Sequence, residues 1–583
     1  EIDEWSKALP HKFKLTLKEA YQESQKVKNL IADSQRNEVL FKTALKLEGL
    51  PRHYSTHAAG VILSDEVLSD LIPVQLGTDQ ILLSQFAKGQ VEEAGLLKID
   101  FLGLRNLTIL DNALKFVRNG YQEKLDLKQL SLDDPLTLRL FQAGQTNGVF
   151  QFESTGIKNV LRRLHPTSFE DVAAVNALYR PGPIGNIDEF IARKHGKHPV
   201  SYPEKSLRPI LAKTYGIMVY QEQVMQVASA MGGFSLGEAD LLRRAISKKD
   251  QLKIDKLQAR FVMGAEKKGY TVASALEVYE YMKRFGNYGF NRSHAVAYSK
   301  MAFELAYLKS HYPAAFFAAL LNSVIGNDNK LKEYLGEMRQ FKLQVAGPDI
   351  NTSQLYFSLK SKKVVFGLGS IKTLRGDLVK AILQERRQNG NFKSLADLIR
   401  RLDKKLLKEE QLKALIYAGA LDQIESDRSK LLSQLPMVLS NIALSGENQT
   451  LFEMLAPKEE KSAEKLSTAE LLEKEFYYLG TYLSGHPVEK YAWLRQRQHT
   501  KLLAKLIPNE NIKTVVYVKN KRVIRTKKGE QMAFLQVADE SGETELVIFP
   551  REYRRFATLC EPQNILLVSG KVEVRNERKS ILV

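Results

Sequence analysis

A single cysteine, Cys560, stands in 583 residues, which excludes internal disulfides and every zinc site built on several thiolates. Long apolar runs are missing as well. The longest, 314–325 (AAFFAALLNSVI), falls well short of the roughly 20 residues a membrane span needs, and its helical pattern predicts core. The first residues (EIDEWSKALP) show no apolar signal region and no Arg/Ser-rich transit character. Acidic residues are in deficit: 67 Asp+Glu against 86 Lys+Arg leave a net charge of +19 and a pI near 9.5. A surplus of that size favours a polyanionic partner, nucleic acid ahead of an anionic membrane. No repeat of solenoid period is present. Together these absences predict a soluble, reduced, cytoplasmic protein with no membrane segment and with nucleic acid as its leading partner.

Apolar residues make up 44% of the chain and charged residues 26%, enough for real cores, and the length predicts about three to five domains. Residues 1–47 read as amphipathic helices. AAGVILS (58–64), DLIPVQL (70–76) and ILLSQF (81–86) read as short strands, and GLLKIDFLGL (95–104) as a buried-type strand ending in polar residues. From 105 to about 340 the pattern is helical, punctuated at RPGPIGN (180–186) and NYGFNRS (287–293). Short helices around a glycine hairpin follow over 341–440, then a polar linker, a helical piece over about 468–500, and alternating strands over 513–583. That last stretch has the look of a small β-barrel stopping inside a strand at Ser580, which predicts an incomplete domain.

Four groups of residues carry candidate chemistry. Lys98 and Asp100 are two apart, so they share one side of a strand end, where they could hold a phosphate and a cation or simply form a salt-bridged edge. LLRRAISKK places Arg243, Arg244, Lys248 and Lys249 within about two helical turns, a cationic wall for a triphosphate or a solvated basic face. Arg180 stands in a stiff Tyr-Arg-Pro-Gly-Pro loop able to aim one guanidinium, or to end a helix with the arginine in water. Asn291, Arg292, Ser293 and His294 precede a helix, which suits an N-cap and equally an anion site. Downstream, Gly367 and Gly369 stand before a helix that carries Lys372 and Arg375 nearby. Residues 360–415 hold 15 Lys/Arg against 6 Asp/Glu, a surplus of +9, suited to a sequence-independent grip on a nucleic-acid backbone.

The chain resembles the bacterial DNA polymerase III alpha family, the family C polymerases, in a collinear series of motifs. These are THAAGVILSD (56–65), KIDFLGLR (98–105), GVFQFES (148–154), LYRPGP (178–183), YGIMVYQEQVMQVA (215–228), GEADLLRRAISKK (237–249), YGFNRSHAVAYSKMA (288–302), LKSHYPAAFFAALLNS (308–323) and LGTYLSGHP (479–487). The resemblance implies a multidomain α+β fold with a partial polymerase palm, a mostly helical thumb and fingers, a helix-hairpin-helix module and a truncated C-terminal OB-type barrel. The implied parts are a partial thumb over 1–47, the C-terminal part of the palm over 48–104, and fingers over 105–340. A tandem helix-hairpin-helix module over 341–440, a linker over 441–467, a helical connection over 468–512 and an incomplete OB domain over 513–583 complete the series. The second hairpin copy would involve LIYAGALD (415–422), where Gly419 suits packing. In the barrel Phe534, Phe549 and Tyr553 are candidates for base stacking, with a core role expected for Phe534.

The implied activity is DNA-directed DNA synthesis on primer-template DNA from deoxynucleoside triphosphates, with Mg²⁺ as cofactor. Asp100 would be one catalytic carboxylate and metal ligand, with Lys98 beside it. Arg180, Arg243, Arg244, Lys248, Lys249 and 291–294 would meet the nucleotide. Gly367, Gly369, Lys372 and Arg375 would meet DNA. Leu451 and Phe452 resemble a sliding-clamp-binding peptide with Asn448 in place of glutamine, and clamp-loader and other replisome subunits are implied partners. The D-x-D strand that supplies the other two carboxylates in the family is absent here. The Glu1-Ile2-Asp3 triplet has that shape but opens a helical stretch. The expectation is therefore a chain inactive alone whose parent protein polymerises. A catalytically dead DNA-binding scaffold is the competing reading, and a basic nucleoid protein a third.

Overall fold

The computed structural model describes residues 2–583 except 11–14, 51, 52, 54, 78, 79, 181, 287, 288, 446–465, 527, 528, 576 and 577. The candidate clamp-binding Leu451 and Phe452, with Asn448, lie outside the described residues. The chain divides into two compact units, Glu1–Leu104 and Arg105–Val583.

In the first unit, helices Leu17–Glu23, Gln25–Asp33 and Gln35–Leu47 follow one another through polar caps. Thr16, Ser24 and Ser34 each accept a backbone N–H from the turn they open, which is why the chain breaks into short helices instead of one long one. Val27 and Phe41 from these helices join Ala8 of the preceding helix Ile2–Ala8 in a small core. Two antiparallel pairs follow, Gly60–Leu63 with Leu97–Asp100 and the hairpin of Val74–Leu76 with Leu82–Ser84. The strand expected over 70–76 is shorter than its pattern suggested. Leu68–Leu71 forms a helical turn, and Pro73, which has no N–H to give a ladder, delays pairing until Val74.

The second unit begins with a helical body holding two large apolar cores. Helix Arg292–His311 serves both: Ala295, Ala302 and Phe303 belong to one, Leu305 and Leu308 to the other. The apolar run at 314–325 is core as expected, with every residue of Ala314–Leu321 buried in helix Pro313–Asn322. A fully buried lysine ties this body together. Lys309 donates to Glu337 Oε1 and to the Asn147 carbonyl, each at 2.8 Å, and its ammonium lies 5.3–5.7 Å from the rings of Phe316, Phe317 and Phe341.

Beyond the helical body a three-stranded sheet appears that the pattern did not reveal. Val345–Ala346 pairs parallel with Lys363–Val365, which pairs antiparallel with Ser358–Lys360. The C-terminal strands, Asn511–Arg525, Gln531–Asp539, Gly542–Ile548, Ile565–Arg575 and Arg578–Leu582, form a closed barrel. The last strand pairs parallel with Gly542–Ile548 through Glu545–Val547 and shuts the sheet. Alternation along Gln531–Asp539 sends Ala533, Leu535 and Val537 inward, so Phe534 is outside, with the Arg522 guanidinium 5.0 Å from its ring. Tyr553 takes the core place instead, and Phe549 is 42% exposed.

Candidate active site

The strand Leu97–Asp100 ends opposite Gly60. Period-two alternation puts Lys98 and Asp100 on one side, and Lys98 Nζ donates to Asp100 Oδ1. The Lys98 side chain is 16% exposed and that of Asp100 45%, so a largely covered cation holds a carboxylate that still reaches solvent. That hydrogen bond keeps the Asp100 carboxyl below the usual carboxylate range. Gly60 is what lets the pair sit so close to the neighbouring strand: a Cβ there would lie 2.7 Å from Lys98 Cε and 3.1 Å from Asp100 Oδ1. His57 Nδ1 accepts the Gly60 and Ala59 N–H groups at 2.7 and 3.2 Å. It also lies 3.9 Å from Asp100 Oδ1. Neither His57 nor Gly60 was singled out from sequence, although both stand in THAAGVILSD. Among the described residues no three His, Cys, Asp or Glu side chains gather into a group able to hold a metal ion. One carboxylate, already paired with an ammonium, does not make a two-ion centre.

In the second unit, residues from separate stretches of sequence meet at the start of helix Gln221–Gly232. Phe290 donates its N–H to the Val219 carbonyl at 3.1 Å and accepts the Gln221 N–H at 2.9 Å. The Arg180 guanidinium stacks 3.6 Å from the Phe290 ring centroid, and burial lowers its pKa from the ordinary arginine value. Asn291 caps helix Arg292–His311 by accepting the His294 N–H at 2.8 Å, as the capping reading expected. Its side chain also donates to Glu222 Oε1 at 3.0 Å, while Arg292 N–H donates to Glu222 Oε2 at 2.8 Å. The Arg292 guanidinium pairs with Glu170 at 2.8 Å. Ser293 is exposed, and His294 stacks on Tyr298 with ring centroids 4.1 Å apart.

Helix Leu236–Lys248 opens with a Ser235–Glu238 capping box, which sets its start and thereby aims its basic turn. Arg243 reaches Gln221 Oε1 at 3.2 Å. Arg243 and Arg244 share Asp240, at 2.8 and 2.7 Å, and the hydrogen bond from Arg243 keeps that carboxyl below its usual range. Arg244 remains 64% exposed at its side chain. Lys248 and Lys249 are exposed, Lys249 in the left-handed conformation that ends the helix. Thus Arg180, Arg243, Asn291 and Arg292 converge on one place, whereas Lys248 and Lys249 stand a turn farther along.

The glycine hairpin is built differently from a loop that offers its backbone outward. A Cβ on Gly367 would lie 2.4 Å from the Tyr356 carbonyl carbon, and one on Gly369 2.8 Å from the Leu355 oxygen. The N–H groups of Leu368, Gly369 and Lys372 donate to Gln354, Leu355 and Tyr478 carbonyls, each at 2.9 Å. Side chains are what face solvent here: Lys372 pairs with Asp328 at 3.1 Å and Arg375 pairs with Asp377, both about half exposed. Gly419, at φ +77°, leaves room for Arg428, which bridges Asp422 and the buried Glu475.

Residues 1–103 match the family model described as bacterial DNA polymerase III alpha NTPase domain, and residues 106–269 that of the bacterial DNA polymerase III alpha subunit finger domain. Residues 342–431 match a helix-hairpin-helix motif and 512–583 an OB-fold nucleic acid binding domain. Among curated relatives, a protein of Bacillus subtilis named DNA polymerase III subunit alpha is 42% identical over 99% of this chain and 52% of its own length. Proteins of the same name from Halalkalibacterium halodurans and Staphylococcus epidermidis are 40% and 38% identical over all of this chain, and over 52% and 54% of their own lengths. The chain spans about half the length of the relatives it matches. With motifs, helical body, hairpin module and barrel in agreement, the chain belongs to the bacterial DNA polymerase III alpha-subunit family.

Proposed function

We propose that this chain supplies part of the palm, the fingers and the DNA-holding modules of a DNA-directed DNA polymerase, which joins a deoxynucleotide to a primer 3′-hydroxyl. In this reading thumb, palm and fingers occupy 1–47, 48–104 and 105–340, and the hairpin module and barrel follow a common path for DNA. The observation that carries it is the convergence of Arg180, Arg243, Asn291 and Arg292 on the helix start at 220–222. Pre-placed cations and donors stabilise the charge that develops on a triphosphate during transfer. Lys248, Lys249, Arg244, Ser293 and His294 extend that surface. Asp100 would contribute one carboxylate to a divalent-ion site, Mg²⁺ by its hard-oxygen preference. It would be among the residues holding such ions, which would supply electrostatic stabilisation of the charge developing on the reacting oxygens.

Lys372 and Arg375 would touch DNA phosphates through their side chains, since the hairpin's N–H groups are already engaged. Leu451 and Phe452 are proposed to reach a sliding clamp, which raises processivity by effective concentration. The solitary carboxylate also suits a DNA-binding scaffold without activity, and one assay separates the two. In single-nucleotide insertion by the full-length polymerase that carries this chain, Arg292→Ala is expected to raise KM for the nucleotide at least roughly tenfold. An unchanged KM would remove the nucleotide site. No insertion by the unaltered protein would favour the scaffold.

A further inference from the structure

We propose that Gln221 and Glu222 are positioning residues for nucleotide insertion, fixing the 291–294 turn and Arg243 in the arrangement that receives the triphosphate. The inference rests on the reading above that those groups face a nucleotide. Both carboxylate oxygens of half-buried Glu222 are committed to the turn, one to the Asn291 amide and one to the Arg292 N–H, at 3.0 and 2.8 Å. An N–H in the first turn of a helix has no acceptor within that helix. Glu222 satisfies the one on Arg292 and Asn291 the one on His294, so the turn is held by two acceptors from different parts of the chain. Gln221 works from the same helix start in the other direction. Its N–H fastens the Phe290 carbonyl at 2.9 Å, and its side-chain oxygen accepts from Arg243 at 3.2 Å. Just before them Tyr220, 2% exposed, has its ring centroid 5.8 Å from the Arg292 guanidinium, and its hydroxyl has no hydrogen-bond partner among the described residues. Two adjacent polar side chains thus tie together groups from helix Leu236–Lys248 and from the turn before helix Arg292–His311, while Phe290 carries Arg180 on its ring. The charge of Glu222 is offset by the donors it holds, so losing it disorders the turn more than it relieves repulsion of a phosphate.

The test is steady-state single-nucleotide insertion by the full-length polymerase carrying Glu222→Ala, Glu222→Gln or Gln221→Ala, with thermal melting and primer-template affinity measured beside it. Glu222→Ala is expected to raise KM for the nucleotide roughly tenfold, the loss of about one charge-assisted hydrogen bond, with melting and DNA affinity unchanged. Glu222→Gln keeps one oxygen for the Arg292 N–H and should recover most of that loss. Gln221→Ala should raise KM severalfold and carries the test if Glu222→Ala does not fold. A normal KM in Glu222→Ala and Gln221→Ala beside a raised KM in Arg292→Ala overturns the positioning role and leaves the nucleotide reading standing. A normal KM in all of them overturns the reading itself. A drop in melting temperature with no change in KM assigns the pair a structural role and also overturns the proposal.

Discussion

At the scale of single residues, the least replaceable position near the carboxylate is one with no side chain. Gly60 sits where a methyl group would meet Lys98 Cε at 2.7 Å, His57 Nδ1 at 2.9 Å and Asp100 Oδ1 at 3.1 Å. The lysine end could swing away, but only by giving up its hold on Asp100. Gly60→Ala is therefore expected to lower nucleotide insertion by one to two orders of magnitude, while costing only about 1 kcal/mol of stability on an exposed two-stranded pair. Insertion kinetics and thermal melting of the same preparation check this, and unchanged insertion would contradict it. The Lys98–Asp100 pairing itself was legible from sequence, because alternation in a strand is strict. Gly60 and His57 were not, since their part depends on which strand pairs opposite. Gln221 and Glu222 escaped for another reason: polar residues at a helix start look like ordinary caps until their partners, some 20 to 70 positions away, are known.

At the scale of elements, the helical body depends on one ion pair that sequence periodicity conceals. A lysine in a helix reads as surface, yet Lys309 is fully covered and Glu337 nearly so. Burial pulls the Lys309 ammonium down to about 8, against the opposing pull of Glu337. Removing one partner strands the other in apolar surroundings, so Lys309→Met should cost about 3–5 kcal/mol in denaturant unfolding. Lys309→Met combined with Glu337→Leu should recover most of it. If the double substitution is as damaging as the single one, the stranded charge is not the cause. The long amphipathic helices and the buried run at 314–325 were readable because burial imposes a period on many residues at once. The strands at 345–346, 358–360 and 363–365 are too short to show one, and barrel closure hinges on a parallel pairing between distant strands that no local pattern encodes.

At the scale of the whole chain, the second unit joins its helical body to the barrel through the LGTYLSGHP segment. His486 from that segment is buried, its ring 4.9 Å from Tyr482 and 6.5 Å from Tyr517 of the barrel. Burial lowers its pKa from 6.5 to about 4, with Asp539 pulling the other way and Arg339 and Lys519 adding to the fall. Between those values the unfolded chain binds a proton that the folded chain refuses, so stability falls as the pH drops from 6.5 toward 4 and is fully present above 6.5. His486→Phe should flatten that part of an acid-unfolding curve, and a curve unchanged by the substitution would show that other groups set it. The net charge of +19 was the plainest whole-chain signal, and it pointed to nucleic acid before any motif was considered. The central claim is that Asp100 serves phosphoryl transfer. Primer extension by the full-length polymerase carrying Asp100→Asn tests it most directly: synthesis should fall by at least about three orders of magnitude with primer-template affinity intact, whereas near-normal synthesis would contradict the account.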